Sequence, residues 1–289
     1  MRSGILEHVL QLMKSEPGDK LSKLTVLSFD EMSVRECFEY DIHDDEVVGP
    51  HKKMQVIMAR SLICRWKEPV FVDFDCVMKE EILLDVISEL YCVGYTVVAC
   101  VCDNGTENRA LWNAMKVSKD SPYFLHPSTN EKIICFPDVP HLLKLFRNWL
   151  LDTGFILGNG RIVTKDALYK LLEVVDTEIS VAFKLKESHL TVRGCQRQNV
   201  RKAAELVSHT VACALKRYGI DDDLADVIQL INDWFDLFNT RTVRRQNAFT
   251  SPYGVDEYID EQNELLKKVR TFMEEIRCVG KSQTSLQVN

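Results

Sequence analysis

The feature that most constrains the fold of this chain is a pair of apolar runs that each end in an aspartate. The first is Leu24-Thr-Val-Leu-Ser-Phe-Asp30, and the second runs from Tyr95 to Cys102 and is followed by Asp103-Asn-Gly. Short apolar runs bounded by turn residues are typical of buried β-strands. Each strand is therefore expected to deliver a carboxylate to its C-terminal end. Two such carboxylates on neighbouring strands suit a hard divalent cation, Mg²⁺ or Mn²⁺, held against a phosphate.

Both aspartates also have a purely structural interpretation. Asp30 is consistent with a residue that simply ends a strand, and Asp103-Asn-Gly is a good turn that would cap the next helix. On these residues alone, the structural interpretation is favoured for both aspartates. Nevertheless, the pair Asp30 and Asp103 is the first prediction for catalytic metal ligands.

The order of elements predicts an α/β fold. Strands are predicted at 24–30, 36–40, 69–74, 95–102 and 132–136, and helices at 79–92, 106–115 and 140–151, with Thr106 as a helix N-cap. A β-β-β-α-β-α-β-α order is that of an RNase H-like fold, in which helices cover a mixed sheet. We expect an amphipathic lead-in at 1–22, which looks like the tail of a longer upstream segment, and an RNase H-like domain at 23–151.

The apolar spacing in the rest of the chain is typical of helices. Helices are predicted at 165–176, 196–218 and 224–239, the last with Phe235 and Phe238 facing inward, which makes an all-α insertion domain at 152–254. A further helix at 255–278 opens a C-terminal helix and tail at 255–289.

Charge and cysteine usage narrow the function classes. A net charge of −7 with a pI near 5.6 is unfavourable for a free-standing nucleic-acid binder. DNA contacts would have to come from local basic patches, and a solvated helix face is the alternative. The patches are Arg193, Arg197, Arg201 and Lys202, and Arg241, Arg244 and Arg245.

The ten cysteines lie mostly in apolar runs, and no pair of C-x-x-C elements has zinc spacing. We expect a reducing, intracellular setting, with Cys100 and Cys102 packed in the core. Neither a membrane span nor a secretion signal is expected.

Several motifs, in order, resemble the P-element transposases and their THAP-domain relatives. The first three are Phe29-Asp-Glu-Met32, Asp103-Asn-Gly-Thr-Glu-Asn-Arg-Ala-Leu-Trp112 and Pro137-Asp-Val-Pro-His-Leu-Leu-Lys144 with Arg147-Asn148. Two more, Lys184-Leu-Lys-Glu-Ser-His-Leu190 and Leu230 to Arg241, resemble the GTP-binding insertion domain of that family. Five motifs in the same order make a chance match improbable.

The resemblance implies a nuclear cut-and-paste DNA transposase that acts on transposon ends by two-metal phosphoryl transfer. By position, Asp30 and Asp103 match its first two acidic ligands. Asp138 and His141 match a D-x-x-H arrangement beside the active site, where they would orient a ligand or DNA; helix capping is the default role for Asp138.

The resemblance also implies a GTP site, although the chain has no G-x-x-x-x-G-K-[ST] segment. Phe235, Asp236 and Asn239 match the residues that hold the guanine, since an aromatic ring can stack on the base and a carboxylate can accept from its N–H groups. The alternative is that Phe235 is a core residue and Asp236 a solvated one. Lys184, Lys186 and Arg201 are candidate phosphate partners.

The chain departs from the family in two respects. Nothing aligns with the third carboxylate, a glutamate on a helix after the insertion, and no Cys and His set for a zinc-binding THAP domain precedes Leu24. We therefore expect a transposase fragment or domesticated derivative with compromised catalysis. The alternative is a non-catalytic module that binds DNA, guanine nucleotide or protein. An uncovered sheet face also predicts marginal stability or self-association.

Overall fold

The chain folds into two compact units, Met1–Asp138 and Val139–Asn289. The computed structural model describes residues 3–42, 45–175, 184–240, 247–254 and 257–280. The unit boundary places the helix that follows Asp138 in the second unit, whereas the sequence grouped that helix with the sheet.

The first unit contains a mixed seven-stranded sheet. Its elements are β1 (Gly4–Ile5), α1 (Glu7–Ser15), β2 (Leu24–Ser33), β3 (Glu39–Asp41), β4 (Glu46–Val48), β5 (Lys53–Ser61), β6 (Lys67–Phe74), α2 (Glu80–Cys92), β7 (Thr96–Cys102), α3 (Thr106–Ala114), β8 (Tyr123–Leu125) and β9 (Lys132–Pro137). The strand order is β1-β6-β5-β2-β7-β9-β8. The pairs β2–β7 and β7–β9 are parallel, and the other pairs in this sheet are antiparallel.

Apolar side chains from one face of this sheet pack against α2. Leu27 and Phe29 of β2 and Ile57 of β5 share a buried cluster with Leu83 and Leu90 of α2. Burial of a side chain of this size contributes about 1.5–3 kcal/mol to folding. This packing fixes β2 and β7 at the middle of the sheet, so the loops at their carboxyl ends start from a rigid base.

The second long strand, β5, was not predicted from the sequence. The predicted strand at 36–40 is only the short β3, which forms a separate hairpin with β4. The strand beside β2 is β5, in which the buried positions include Gln55, Ala59 and Ser61. Since polar or small residues occupy the buried face, β5 lacks the apolar alternation that predicts a strand.

The lead-in belongs to the first unit. Ile5 lies in β1 and pairs with Phe71 of β6, and Leu10 and Met13 of α1 are buried in the core cluster. The Tyr95 hydroxyl donates a hydrogen bond to the Met13 carbonyl over 2.8 Å. The amphipathic pattern predicted α1 correctly, and the buried face of α1 packs in the core of the first unit.

The second unit is mostly helical. It comprises α4 (Val139–Asp152), β10 (Phe155–Ile156), β11 (Ile162–Val163), α5 (Asp166–Val175), α6 (Glu187–Leu190), a 3₁₀ turn (Gly194–Gln198), α7 (Val200–Leu206), α8 (His209–Arg217), α9 (Asp222–Asn239), a second 3₁₀ turn (Ala248–Thr250), α10 (Ile259–Glu275) and β12 (Arg277–Cys278). The three short strands form a small sheet in the order β11-β10-β12. None of the described helices is long and apolar enough to cross a membrane.

The predicted single helix at 196–218 is two helices. Asn199 caps α7 by accepting from the Lys202 backbone N–H over 3.0 Å, and α7 ends before Val207. The new helix α8 begins at His209, whose backbone N–H donates to Oδ1 of Asn232 over 3.1 Å. The apolar spacing continues through the break between α7 and α8. The break therefore depends on this tertiary contact and not on a helix-breaking residue.

Candidate metal and nucleotide sites

The register of the sheet aligns the two predicted metal ligands. The parallel pairing of β2 with β7 ends at the residue pair Ser28 and Val101. Asp30 and Asp103 each lie two residues beyond that pair. Because successive side chains in a strand alternate between faces, Asp30 points away from the face that buries Phe29. The two aspartates therefore continue adjacent strands, whose paired backbones lie about 4.8 Å apart in such a sheet.

Asp103 is half-buried and is held by the loop that follows β7. Its Oδ1 accepts hydrogen bonds from the Gly105 backbone N–H at 2.9 Å and from Asn108 Nδ2 at 2.8 Å. A Cβ on Gly105 would lie 2.9 Å from that same oxygen, so a larger residue there would displace the carboxylate. The N-cap of α3 is Gly105, not Thr106 as predicted. The turn and the proposed ligand role are compatible, since the turn fixes the carboxylate.

Asp30 is exposed and lies within β2, three residues before the strand ends at Ser33. Its Oδ1 accepts from the Glu31 backbone N–H at 2.9 Å. The buried Gln55 of β5 donates from Nε2 to the Asp30 carbonyl at 3.2 Å. These bonds fix the backbone that presents the carboxylate.

A third aspartate ends the next parallel strand. The last β7–β9 pair is Cys102 and Pro137, so Asp138 stands beside Asp103 in the register. The Asp138 backbone N–H donates to the Cys102 carbonyl at 2.8 Å. His141 lies in the first turn of α4, in the second unit. Three neighbouring parallel strands thus each end near an aspartate. For Asp138, the sequence pattern alone favours a helix-capping role.

The donor chemistry fits a hard divalent cation. Carboxylate oxygens are what Mg²⁺ and Mn²⁺ accept, and Mg²⁺ sites often use one or two protein carboxylates together with water and substrate phosphates. Over the described ranges, no three His, Cys, Asp or Glu side chains are arranged to hold a metal ion together. Two aspartates such as Asp30 and Asp103 would supply only part of such a coordination shell.

The cysteines near this edge are structural. Cys100 and Cys102 are buried in the core cluster, which confirms the packing interpretation. Burial raises the pKa of Cys102 to about 12 and that of Cys135 to about 12. A thiol that stays protonated at neutral pH is a poor metal ligand, because the thiolate is the coordinating form.

The guanine-binding residues implied by the resemblance lie at the end of α9. Phe235 is only 9% exposed and packs in the helical core. Asp236 is half-buried, and Asn239 is exposed. Phe238, which the helical period placed inward, is 47% exposed and lies tilted against Trp234 at a ring-centroid distance of 5.7 Å.

A hydrogen-bond network that the sequence did not predict surrounds Asp236. Asn232 donates from Nδ2 to Oδ2 of Asp236 at 3.1 Å and to Oδ1 of Asp233 at 3.3 Å. Gln229 donates from Nε2 to the same Asp233 oxygen at 2.6 Å. The ring Nδ1 of His209 lies 2.7 Å from Oε1 of Gln229. The start of α8 thus orients one face of α9.

Burial dominates the electrostatics of this network. It raises the pKa of both Asp233 and Asp236, and the proximity of Asp233 raises the pKa of Asp236 further. The hydrogen bonds from Asn232 oppose both shifts. These carboxylates are therefore poorly solvated acceptors, which gain most from a ligand that brings N–H donors.

Two of the candidate phosphate partners share a second network. Lys186 is exposed, and its backbone N–H donates to Nδ1 of the buried His189 at 3.0 Å. His189 Nε2 lies 2.9 Å from Oε2 of Glu205, whose Oε1 accepts from Arg201 Nε at 2.9 Å. The hydrogen bond from His189 is the main reason that the pKa of Glu205 is lowered, with Arg201 next. Lys184 is exposed at the start of the same segment.

The structure also reveals two buried cations on α4. Lys144 is 6% exposed and Arg147 is fully buried. Lys144 Nζ donates to Oε1 of Gln198 at 3.1 Å, and Arg147 Nη2 donates to the Arg197 carbonyl at 2.7 Å. Arg147 Nη1 has no hydrogen-bond partner among the described residues. Both residues lie within the P-element-like motif, but the apolar pattern of α4 gives no sign that they are buried.

The first predicted DNA patch is largely engaged within the protein. Arg197 forms a bidentate pair with Asp152 at 2.9 and 2.6 Å. Lys202 Nζ donates to the Ser188 carbonyl at 3.1 Å. The second patch, Arg241, Arg244 and Arg245, lies outside the described residues.

Comparison with known families matches both units. A family model of the TNP-like RNase H N-terminal domain matches residues 1–116, and a model of the TNP-like GTP-binding insertion domain matches residues 140–252. Both matches agree with the order of motifs found in the sequence.

Two relatives are similar over nearly the whole chain. The "Transposable element P transposase" of Drosophila melanogaster is 37% identical over 284 residues, which is 94% of this chain and 37% of the relative. A solved structure, "Drosophila P element transposase strand transfer complex", matches with a TM-score of 0.91 and 35% identity, over 100% of this chain and 66% of that one. The chain thus spans little more than a third of the length of the curated relative.

Proposed function

We propose that the sheet unit of this chain, a transposase-derived member of the P element transposase family, holds a divalent metal ion between Asp30 and Asp103 and binds DNA at that site. The observation that supports this proposal is that Asp30 and Asp103 each stand two residues beyond the last residue pair of the adjacent parallel strands β2 and β7. One aspartate is fixed by its turn and the other is presented by a rigid strand.

When bound, Mg²⁺ or Mn²⁺ would activate an attacking water or 3′-hydroxyl and stabilise the leaving oxygen of the phosphodiester. The chain contributes the positions of two carboxylates. Asp103 keeps Oδ1 directed at Gly105 and Asn108, so its orientation is set before a metal ion arrives. Asp138, which follows β9 in the first unit, is a candidate for a supporting acceptor.

We propose that strand cleavage by this polypeptide alone is weak. The described residues form no cluster of three side chains that could hold a metal ion together. A two-carboxylate site positions its metal ion poorly for phosphoryl transfer. A non-catalytic module that binds DNA, guanine nucleotide or protein is the second candidate. In the first basic patch, Arg197 and Lys202 are already bonded within the protein.

The experiment that separates these two functions measures DNA binding and nicking by the full chain, with Mg²⁺ and with Mn²⁺. The proposal predicts cation-dependent DNA binding that Asp30→Asn and Asp103→Asn both weaken, with little or no nicking. DNA binding that is unaffected by either substitution, or no DNA binding by a folded sample, would favour the non-catalytic alternative. The matched control is Asp85→Asn, an exposed carboxylate on α2.

For the helical unit we propose GTP as the ligand. Asp236 would accept from the guanine N1–H and N2–H₂ groups, and Asn239, one turn further on α9, would contact the same base. Phe235, in the position the resemblance assigns to stacking, supports this face from the core, and Phe238 is the exposed ring beside Asn239. Lys184, Lys186 and Arg201 would meet the phosphates; Arg201 is 86% exposed and can leave Glu205 at small cost, because such surface pairs contribute little. Action at transposon ends, a nuclear location and self-association complete the proposal.

A further inference from the structure

A histidine and a cysteine lie one turn apart at the start of α8. The Cys213 sulfur is 3.3 Å from Nε2 of His209 and 3.8 Å from its Nδ1. His209 is exposed and Cys213 is half-buried, so a small reagent in solvent can reach both side chains. A thiol within hydrogen-bond reach of an imidazole nitrogen is the arrangement that activates a cysteine as a nucleophile.

Gln229 of α9 determines which nitrogen of this imidazole is free to accept a proton. Nδ1 of His209 lies 2.7 Å from Oε1 of Gln229, and Nε2 of the Gln229 amide donates to Oδ1 of Asp233 at 2.6 Å. Because an amide oxygen only accepts hydrogen bonds, Nδ1 of His209 carries the proton, and Nε2 of the neutral ring keeps its lone pair. Nε2 is also the nitrogen nearest the Cys213 sulfur, so His209 is placed to take the thiol proton.

A cation lies near the same sulfur. Lys216, three residues further along α8, pairs with Asp226 at 2.5 Å. Asp226 is the main reason that the pKa of Lys216 is raised, and the negative charges of Asp222 and of a Cys213 thiolate raise that pKa further. This attraction is mutual, so the Lys216 ammonium stabilises the thiolate, which is the reactive form of a cysteine.

We propose that Cys213 is a modification site whose thiol, activated by His209, exchanges with low-molecular-weight disulfides. The thiol proton moves to Nε2 of His209 as the Cys213 sulfur attacks one sulfur of the disulfide. A bond forms between these two sulfurs, the original disulfide bond breaks, and the departing thiolate takes the proton from His209. The disulfide is reduced as Cys213 is oxidised, so the reaction requires no other oxidant.

The adduct would form beside the residues that orient Asp236. The His209 backbone N–H donates to Oδ1 of Asn232 at 3.1 Å, and Asn232 donates from Nδ2 to Oδ2 of Asp236 at 3.1 Å. A bulky group on Cys213 would displace the imidazole that bonds Gln229, so we expect the modification to weaken GTP binding. This consequence rests on the proposed GTP site, whereas the reactivity of Cys213 does not.

The test follows each cysteine of the folded full chain by peptide mass spectrometry during reaction with oxidised glutathione and, separately, with iodoacetamide. Cys64 and Cys195 are exposed reference thiols in the same sample. His209→Ala and His209→Gln remove the base and keep the backbone N–H that bonds Asn232. His8→Ala, at an exposed position of α1, is the matched control, and the Tm of each variant checks its folding.

We expect Cys213 to react at least about tenfold faster than Cys64 and Cys195, although it is less exposed, since a positioned general base contributes at least this much. Both His209 variants should lower the rate at Cys213 to that of the reference thiols. A histidine that only covered the sulfur would have the opposite effect, because its removal would expose Cys213. A rate at Cys213 no higher than that of the reference thiols, or an unchanged or raised rate in both variants, would overturn the proposal.

GTP titration of the glutathione adduct tests the consequence, with Cys213→Ser treated in parallel to account for adducts at other cysteines. Weaker GTP binding by the wild-type adduct than by treated Cys213→Ser supports the consequence, and equal binding contradicts it. A chain that reacts rapidly at Cys213 but binds no GTP before treatment would overturn the proposed GTP site and would still establish the modification site.

Discussion

The side-chain amide of Asn232 donates a hydrogen bond from Nδ2 to Oδ2 of Asp236 over 3.1 Å. This bond orients the carboxylate that we propose for guanine recognition, so Asn232→Ala should weaken GTP binding by about tenfold, since hydrogen bonds to charged groups contribute roughly 1.5–3 kcal/mol. Isothermal titration calorimetry with GTP measures the effect. Unchanged affinity in the folded variant would show that Asn232 does not position Asp236 for the ligand.

The buried Asp233 should make stability depend on pH. Burial raises its pKa in the folded state, so the stability associated with this group is greatest below its ordinary pKa and is lost as pH rises through the folded-state pKa. Asp233→Asn keeps Oδ1 as an acceptor for Gln229 and Asn232 and removes the buried charge. The variant should therefore have a higher Tm than wild type at pH 7 and a smaller advantage at pH 4. Thermal unfolding at both pH values checks this, and an equal difference at both would contradict it.

Gly105 should matter for the site rather than for the fold. Its φ of −57° is accessible to alanine, but the added Cβ would lie 2.9 Å from Oδ1 of Asp103 and displace that carboxylate. We expect Gly105→Ala to change Tm by only a few degrees while weakening Mn²⁺ binding about tenfold or more. Asn108→Ala, which removes the other donor to the same oxygen, should act in the same direction. If both variants bind Mn²⁺ as the wild type does, the turn does not position Asp103 for the metal ion.

Nucleotide selectivity should depend on Asp236. Asp236→Ala should abolish GTP binding at concentrations that saturate the wild type, and ATP should bind poorly to both, because adenine lacks the N1–H and N2–H₂ donors. Asp226→Ala is the matched control, since Asp226 lies on the same helix, is 68% exposed and pairs with Lys216. Fluorescence anisotropy with labelled nucleotides distinguishes the cases. Equal loss in both variants would indicate a general effect on α9.

The sequence predicted β2 and β7 because both are long apolar runs; it placed the end of β7 correctly, whereas β2 continues past Asp30 to Ser33. It failed for β5, where Gln55 and Ser61 occupy buried positions, and Gln55 is buried because its amide bonds to the Asp30 carbonyl. It also joined α7 and α8, since the break depends on the contact between His209 and Asn232. In each case a polar side chain satisfied by a distant residue overrode the local pattern.

The same explanation applies to the nucleotide site. Helical period alone cannot tell that Phe235 is buried and Phe238 exposed, because both lie near one edge of the apolar stripe of α9. Phe235→Ala should cost about 3–5 kcal/mol of stability through the cavity it leaves, so loss of GTP binding in that variant would be uninformative by itself. The distinction between a core aromatic and a stacking one comes from packing.

The most direct test of the account is the binding of Mn²⁺ to the full chain, measured by electron paramagnetic resonance with wild type, Asp30→Asn, Asp103→Asn and the surface control Asp85→Asn. If the aligned carboxylates form a metal site, wild type and Asp85→Asn bind the ion and the two site variants lose it while keeping the wild-type Tm. Binding that persists in both Asp30→Asn and Asp103→Asn, or no binding by a folded wild-type sample, would contradict the central claim that these adjacent strands present a divalent-metal site.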